Sequence, residues 1–192
     1  MVNVNLIIRR ALAVVLLSML SLGFLSISAA PKKQVQKIKV ACVGNSITYG
    51  TGIEDREHFS YPVQLQKMLG EKYQVGNFGK PGATLLNHGH RPYMQQEEFK
   101  EAMAFKGDIA VIHLGINDTD PRNWPNYRDE FVKDYLSLMD SLRSANPKVR
   151  FILARMTPIA DRHPRFISGT KLWHGEIQEA IQTVARVSGA EL

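Results

Sequence analysis

Ile38-Lys39-Val40-Ala41-Cys42-Val43-Gly44-Asn45-Ser46 is the stretch on which the fold turns. Its first six residues are mostly apolar and β-branched, and Gly44 ends the run. That pattern predicts a short buried strand followed by a turn. Outward from it, strand and helix patterns alternate. Tyr61 to Leu69 predicts a short helix stopped by Gly70, and Tyr73-Gln74-Val75-Gly76 a second strand. Gln95 to Phe105 predicts a helix, and Ile109-Ala110-Val111-Ile112-His113-Leu114 a third strand. Tyr127, Phe131, Tyr135, Leu138 and Leu142 recur at helical spacing until Asn146-Pro147 breaks it. Phe151-Ile152-Leu153-Ala154 predicts a fourth strand, and Trp173, Ile177, Ile181 and Val184 a last helical stripe before Ser188-Gly189. Such alternation predicts an α/β fold, a three-layer α/β/α sandwich around a parallel sheet. Four strands are visible and a fifth is due at Gly189-Ala190-Glu191-Leu192, so the last strand and helix are expected to be missing.

With 192 residues the chain is long enough for one domain with a core. A hydrophobic content of 44% and a charged content of 22% exclude a disordered or collagen-like chain and say nothing about function. The first thirty residues differ from the rest. Arg9 and Arg10 precede an apolar run from Ala11 to Leu25, and Ser26-Ile27-Ser28-Ala29-Ala30 follows. This reads as a secretory signal peptide over residues 1–30, with cleavage after Ser28 or after Ala30. A transmembrane anchor is the competing reading, but the run is short for a span of roughly 20 residues. No Cys follows the site, so lipid attachment is not expected. The protein is therefore expected to be exported, periplasmic or extracellular, without a stable membrane anchor once cleaved.

Formal net charge is +6, of which Arg9 and Arg10 supply +2, leaving +4 for the mature chain. Lys32, Lys33 and Lys37 cluster in a polar leader over residues 31–37 that reads as a solvated lead-in to the first strand; no nucleic-acid partner is expected. Cys42 is the only cysteine and lies in a strand, where a small buried hydrophobe is the expected role. No Cys/His spacing suggests a metal, and no organic cofactor is implied.

Chemistry concentrates at three strand ends. The first reads Gly44-Asn45-Ser46-Ile47-Thr48, with a serine at the carboxyl edge of the sheet, where open α/β folds bind ligands. Ser46 reads equally as a helix cap. The second reads Asn77-Phe78-Gly79-Lys80-Pro81-Gly82, whose glycines let backbone N–H groups approach a ligand. The third reads Gly115-Ile116-Asn117-Asp118, where an Asn amide is placed to stabilise an oxyanion. Each alone is ordinary turn chemistry. Together, three loops place a nucleophile and two oxyanion donors at one sheet edge, the parts that acyl transfer needs. There is no G-x-S-x-G and no phosphate loop.

In these blocks the chain resembles the SGNH (GDSL-like) hydrolase family. Gly44-Asn45-Ser46 is similar to its first block, Gly79 to its second, and Gly115 to Asp118 to its G-x-N-D third. The resemblance spans residues 38–192 and implies the SGNH fold, with its parallel sheet in flavodoxin-like order. It implies that Ser46 is the nucleophile, and that the Ser46 and Gly79 amides and the Asn117 side chain form the oxyanion hole. Asn45 replaces the family's usual Asp. The family's last block, Asp-x-x-His, supplies the acid and base, and no such motif follows Gly115. Asp55-Arg56-Glu57-His58 has the spacing but lies just after the nucleophile block, so it is read as coincidence. The acid and base are expected beyond Leu192, and this chain alone is expected to be nearly inactive.

Gly52 to Arg56, Ser60-Tyr61-Pro62, and Asn117 to Pro125 resemble the carbohydrate-directed branch, the bacterial sialate O-acetylesterases and acetylxylan-esterase-like proteins. The implied activity is removal of O-acetyl groups from an acetylated glycan such as sialic acid or acetylated xylan. Arg91, Arg122 and Trp124 are candidates to line a sugar site, since an arginine fork suits a carboxylate. Packing of Trp124 beside a helix start is an equal alternative. His163, on a loop expected at the catalytic edge, is a candidate for substrate contact. His88 and His90 lie on a loop that is a candidate cover for the site, His113 inside a strand, and His174 on a helix surface; none is assigned as base. A lysophospholipase-like acyl hydrolase and a non-catalytic glycan-binding remnant are the alternative functions.

Overall fold

The structure is a computed structural model and describes residues 36–159 and 170–192. The expected signal peptide, all of the leader but Gln36 and Lys37, and His163 lie outside the described residues. Four strands form one parallel sheet: β1 (Ile38–Gly44), β2 (Tyr73–Gly79), β3 (Ile109–His113) and β4 (Arg150–Leu153). Their order is β2-β1-β3-β4, the flavodoxin-like order expected. The helices, in chain order, are α1 (Ser46–Tyr49), α2 (Arg56–Phe59), α3 (Tyr61–Leu69), α4 (Glu97–Phe105), α5 (Trp124–Tyr127), α6 (Phe131–Ala145) and α7 (Thr170–Ser188).

The central strand is apolar because it is covered on both faces. Ala41 and Val43 join Phe78, Ala110, Ile112 and Leu153 in a core filled by Phe131, Tyr135, Leu138, Ile177 and Ile181. These last residues come from α6 and α7, which pack on each other, while α4 packs on α6; the three form one helical layer. Helix α3 packs on β2 and belongs to the opposite layer. Val40 and Cys42 are buried outside the main cluster. The Cys42 thiol bonds to Tyr61 at the start of α3, and burial pushes it up to about 12. It is an inert core group, as expected.

Element boundaries moved where propensity was weak. β2 runs on through Asn77, Phe78 and Gly79, three residues past the expected end. Glycine and asparagine disfavour strands, but seven consecutive pairings with β1 hold them extended. Tyr93–Gln95 is a separate 3₁₀ turn, so the helix expected from Gln95 begins at Glu97. Asp55 to His58, read from sequence as a coincidence of spacing, includes most of the one-turn helix α2. Glu191 pairs parallel to Ile152, with Leu153 N–H donating to Glu191 O at 2.8 Å. The residues expected to begin a fifth strand thus form a single parallel bridge beside β4.

Candidate active site

Parallel pairing levels the three chemical loops. Gly44 is the register partner of both Gly79 and His113, so β1, β2 and β3 end side by side. Ser46 lies two residues past Gly44, and Asn117 four past His113. The connection after β1 runs to one side and that after β3 to the other, so these residues border the topological switch point.

The first loop turns back on itself at once. Gly44 leaves no room for a side chain: a Cβ there would lie 2.0 Å from Thr48 Oγ1. Helix α1 therefore sits directly on the strand end. Its cap is Asn45, which is buried and accepts the Ile47 N–H at 3.0 Å. That disposes of the cap reading for Ser46, which is the first helical residue and half-buried. Among the described residues the Ser46 hydroxyl has no hydrogen-bond partner, imidazole or otherwise. His58 bonds to Asp55, His88 to Glu130, His90 to Asn123 and His174 to the Thr157 carbonyl. His113 is buried, which pulls its pKa down, and it bonds to the Arg155 backbone.

In the second loop the structure separates the two glycines. Gly79 N–H donates to Asn77 Oδ1 at 3.0 Å, so that amide is already engaged. What Gly79 supplies is clearance: a Cβ would lie 2.1 Å from Tyr49 N, in the backbone of α1. Gly82 is different. Ala83 N–H donates to Lys80 O at 3.1 Å, and Gly82 has φ of +79°. Lys80-Pro81-Gly82-Ala83 is thus a type II turn, with Pro in second and Gly in third place. Among the described residues the Gly82 N–H has no hydrogen-bond partner. The Gly79 amide, expected as an oxyanion donor, is thus hydrogen-bonded within its own loop, whereas the Gly82 amide is not. Pro81-Gly82 was the signal in the sequence.

The third loop grips the second. Asn117 is buried, and its Nδ2 donates to Ala83 O at 2.8 Å, beside Gly82. Asp118 is fully buried and accepts the N–H groups of Leu85 and Leu86, each at 2.9 Å. Burial raises its pKa from 3.8 to about 7, against the opposing pull of those amides. Asn123, also buried, accepts the His90 N–H at 3.0 Å and donates to Asn117 O at 2.9 Å. Asp134 takes the Asn87 N–H at 2.8 Å. The segment 83–91 is thus held from Ala83 to His90. Sequence reasoning missed Asp118 and Asn123 as anchors, because nothing local shows that their partners lie some 30 residues away.

The sugar-site candidates divide. Trp124 is 3% exposed, packs edge-on against Phe131, and donates its indole N–H to Glu176. It is a core residue, not a sugar platform. Arg122 is exposed, but Asp120 fills its fork, with Nε at 2.9 Å and Nη2 at 2.8 Å. That pairing holds the Asp120 carboxyl down at about 2. Asp120 thus occupies the Nε–Nη2 edge of the guanidinium. Arg91 is exposed and sits by Gly82, donating from Nη1 to Pro81 O at 3.1 Å. Among the described residues it has no acidic partner.

Residues 42–192 match the GDSL-like lipase/acylhydrolase family, across all three loops. The chain belongs to that family. Over 114 residues this acylhydrolase chain is 49% identical to an acetylxylan esterase of Xylanibacter ruminicola. That match covers 59% of the chain and 23% of the esterase, so the chain spans under a quarter of its relative's length. In fold it is similar to an acetyl xylan esterase, AlAXEase, with a TM-score of 0.59 and 18% identity over 81% of this chain and 76% of that one. It is similar also to the aryl esterase of M. smegmatis, with a TM-score of 0.57 and 18% identity over 81% and 82% of the two chains.

Proposed function

We propose that this protein is an exported serine O-acetylesterase acting on carbohydrate, such as acetylated xylan or sialic acid. Ser46 Oγ attacks the acetyl carbon, its O–C bond forms, and the bond to the sugar oxygen breaks to leave an acetyl-serine. Water then releases acetate. The hydroxyl proton passes through a base to the departing sugar oxygen. The carbonyl oxygen, negative in the tetrahedral state, is received by the Ser46 and Gly82 amides and the Asn117 carboxamide. One observation carries this reading. Asn117 spends one N–H of its two on Ala83 O, beside the unengaged Gly82 amide, and keeps the second for a ligand. The acetyl preference is supported by the name of the X. ruminicola relative.

Among the described residues no imidazole bonds to the Ser46 hydroxyl, and a serine needs a base to act as nucleophile. The test therefore supplies the base from solution. Hydrolysis of p-nitrophenyl acetate is measured in imidazole buffer for the wild type and Ser46→Ala. A wild-type excess that falls about 10²-fold in Asn117→Ala is expected. Equal rates for wild type and Ser46→Ala would remove the serine from the reaction. Comparison with an octanoyl ester then separates a short-acyl from a lipid-like preference.

A further inference from the structure

The Pro81–Gly82 peptide can face either way. In a type II turn it has one orientation, and flipping it through about 180° gives a type I turn with the same two ends. The flip reverses the direction of the Gly82 N–H. Pro81 at the second position suits both forms. Gly82 tolerates both signs of φ, so its backbone sterics leave the flip open. A donor aimed at the acyl oxygen is useful only if that orientation is held, because an amide that must reorient during reaction stabilises little.

Arg91 is placed to hold it. Its Nη1 donates to the Pro81 carbonyl at 3.1 Å, and a Cβ on Gly82 would lie 3.2 Å from the same Nη1. In a trans peptide the carbonyl and the N–H point in opposite directions. Fixing Pro81 O toward Arg91 therefore fixes the Gly82 N–H away from it. The guanidinium is itself held at its base. Arg91 O accepts the Thr84 N–H at 2.8 Å, and its neighbour His90 is bound by Asn123 at 3.0 Å. We propose that Arg91 is a positioning residue, which locks the Pro81–Gly82 peptide in the orientation that keeps the Gly82 amide free for the acyl oxygen. The catalytic part of this claim rests on the esterase reading; the lock itself does not.

The lock is read directly by NMR on the full chain. In the type II form the Pro81 Hα lies close to the Gly82 amide proton, giving a strong cross-relaxation peak; in the type I form it is weak. A strong peak in wild type that weakens in Arg91→Met, and recovers in part in Arg91→Lys, is expected. Lys keeps a charged donor but not the fork. In imidazole-supported hydrolysis, Arg91→Met should lower kcat about three- to tenfold with KM nearly unchanged, as for an interaction made only in the transition state. An undiminished peak in Arg91→Met overturns the lock. A loss in KM with kcat intact overturns the positioning role in favour of direct substrate contact. If no turnover depends on Ser46, the esterase reading falls, and the peak alone decides the lock.

Discussion

Asp118 allows a quantitative test of how the site is built. Its carboxyl is fully buried, receives the Leu85 and Leu86 amides, and has a pKa raised from 3.8 to about 7. Each pKa unit corresponds to about 1.4 kcal/mol, so the rise corresponds to ~4 kcal/mol of pH-dependent stability. The sign follows from which state holds the proton. Below pH 3.8 the acid is protonated folded and unfolded alike, and nothing is lost. Between 3.8 and 7 the unfolded chain gives up the proton while the folded chain keeps it, so stability falls as pH rises. Above 7 both states are ionised and the full penalty persists. Asp118→Asn removes this slope. It also leaves one of the two amides facing an NH₂ group, which costs about 1–3 kcal/mol at every pH. The measurement is urea unfolding followed by the fluorescence of Trp124 and Trp173, at pH 4 and pH 8. The loss between the two pH values should be larger in wild type than in Asp118→Asn by ~4 kcal/mol. A difference under about 1 kcal/mol, less than one pKa unit, refutes the reasoning and leaves Asp118 ionised in an ordinary way.

Other positions give simpler outcomes. Gly79→Ala puts a Cβ into the backbone of α1 and should cost about 2–3 kcal/mol in chemical unfolding. Gly82→Ala, forced to a φ of +79°, should cost about 1–2 kcal/mol and lower Ser46-dependent turnover. Trp124→Phe should lose about 1–2 kcal/mol of stability with the Glu176 bond, while glycan affinity measured by calorimetry stays unchanged. Arg122→Ala should let the Asp120 carboxyl titrate nearer the ordinary carboxylate range than its present value of about 2, seen by carbon NMR, without altering glycan affinity.

The strand and helix pattern was readable in sequence because period and punctuation are local properties. Ala41 and Val43 alternate with Val40 and Cys42, and Gly70 and Asn146-Pro147 mark helix ends wherever the chain lies in space. The blocks around Ser46 and Asn117 were readable for the same reason. Which glycine amide is already engaged was not, because that depends on partners: Asn77 accepts the Gly79 N–H, whereas in the type II turn the Gly82 N–H has no partner among the described residues. Nor were the fates of Trp124, Arg122 and Arg91, three exposed-looking residues that the fold sent to the core, to an internal ion pair and to the Pro81 carbonyl. Sequence by itself determined the layered α/β architecture and the chemical types at each strand end. Tertiary structure alone decided which hydrogen bonds were already taken, because a donor's availability is set by atoms far off in the chain and near in space.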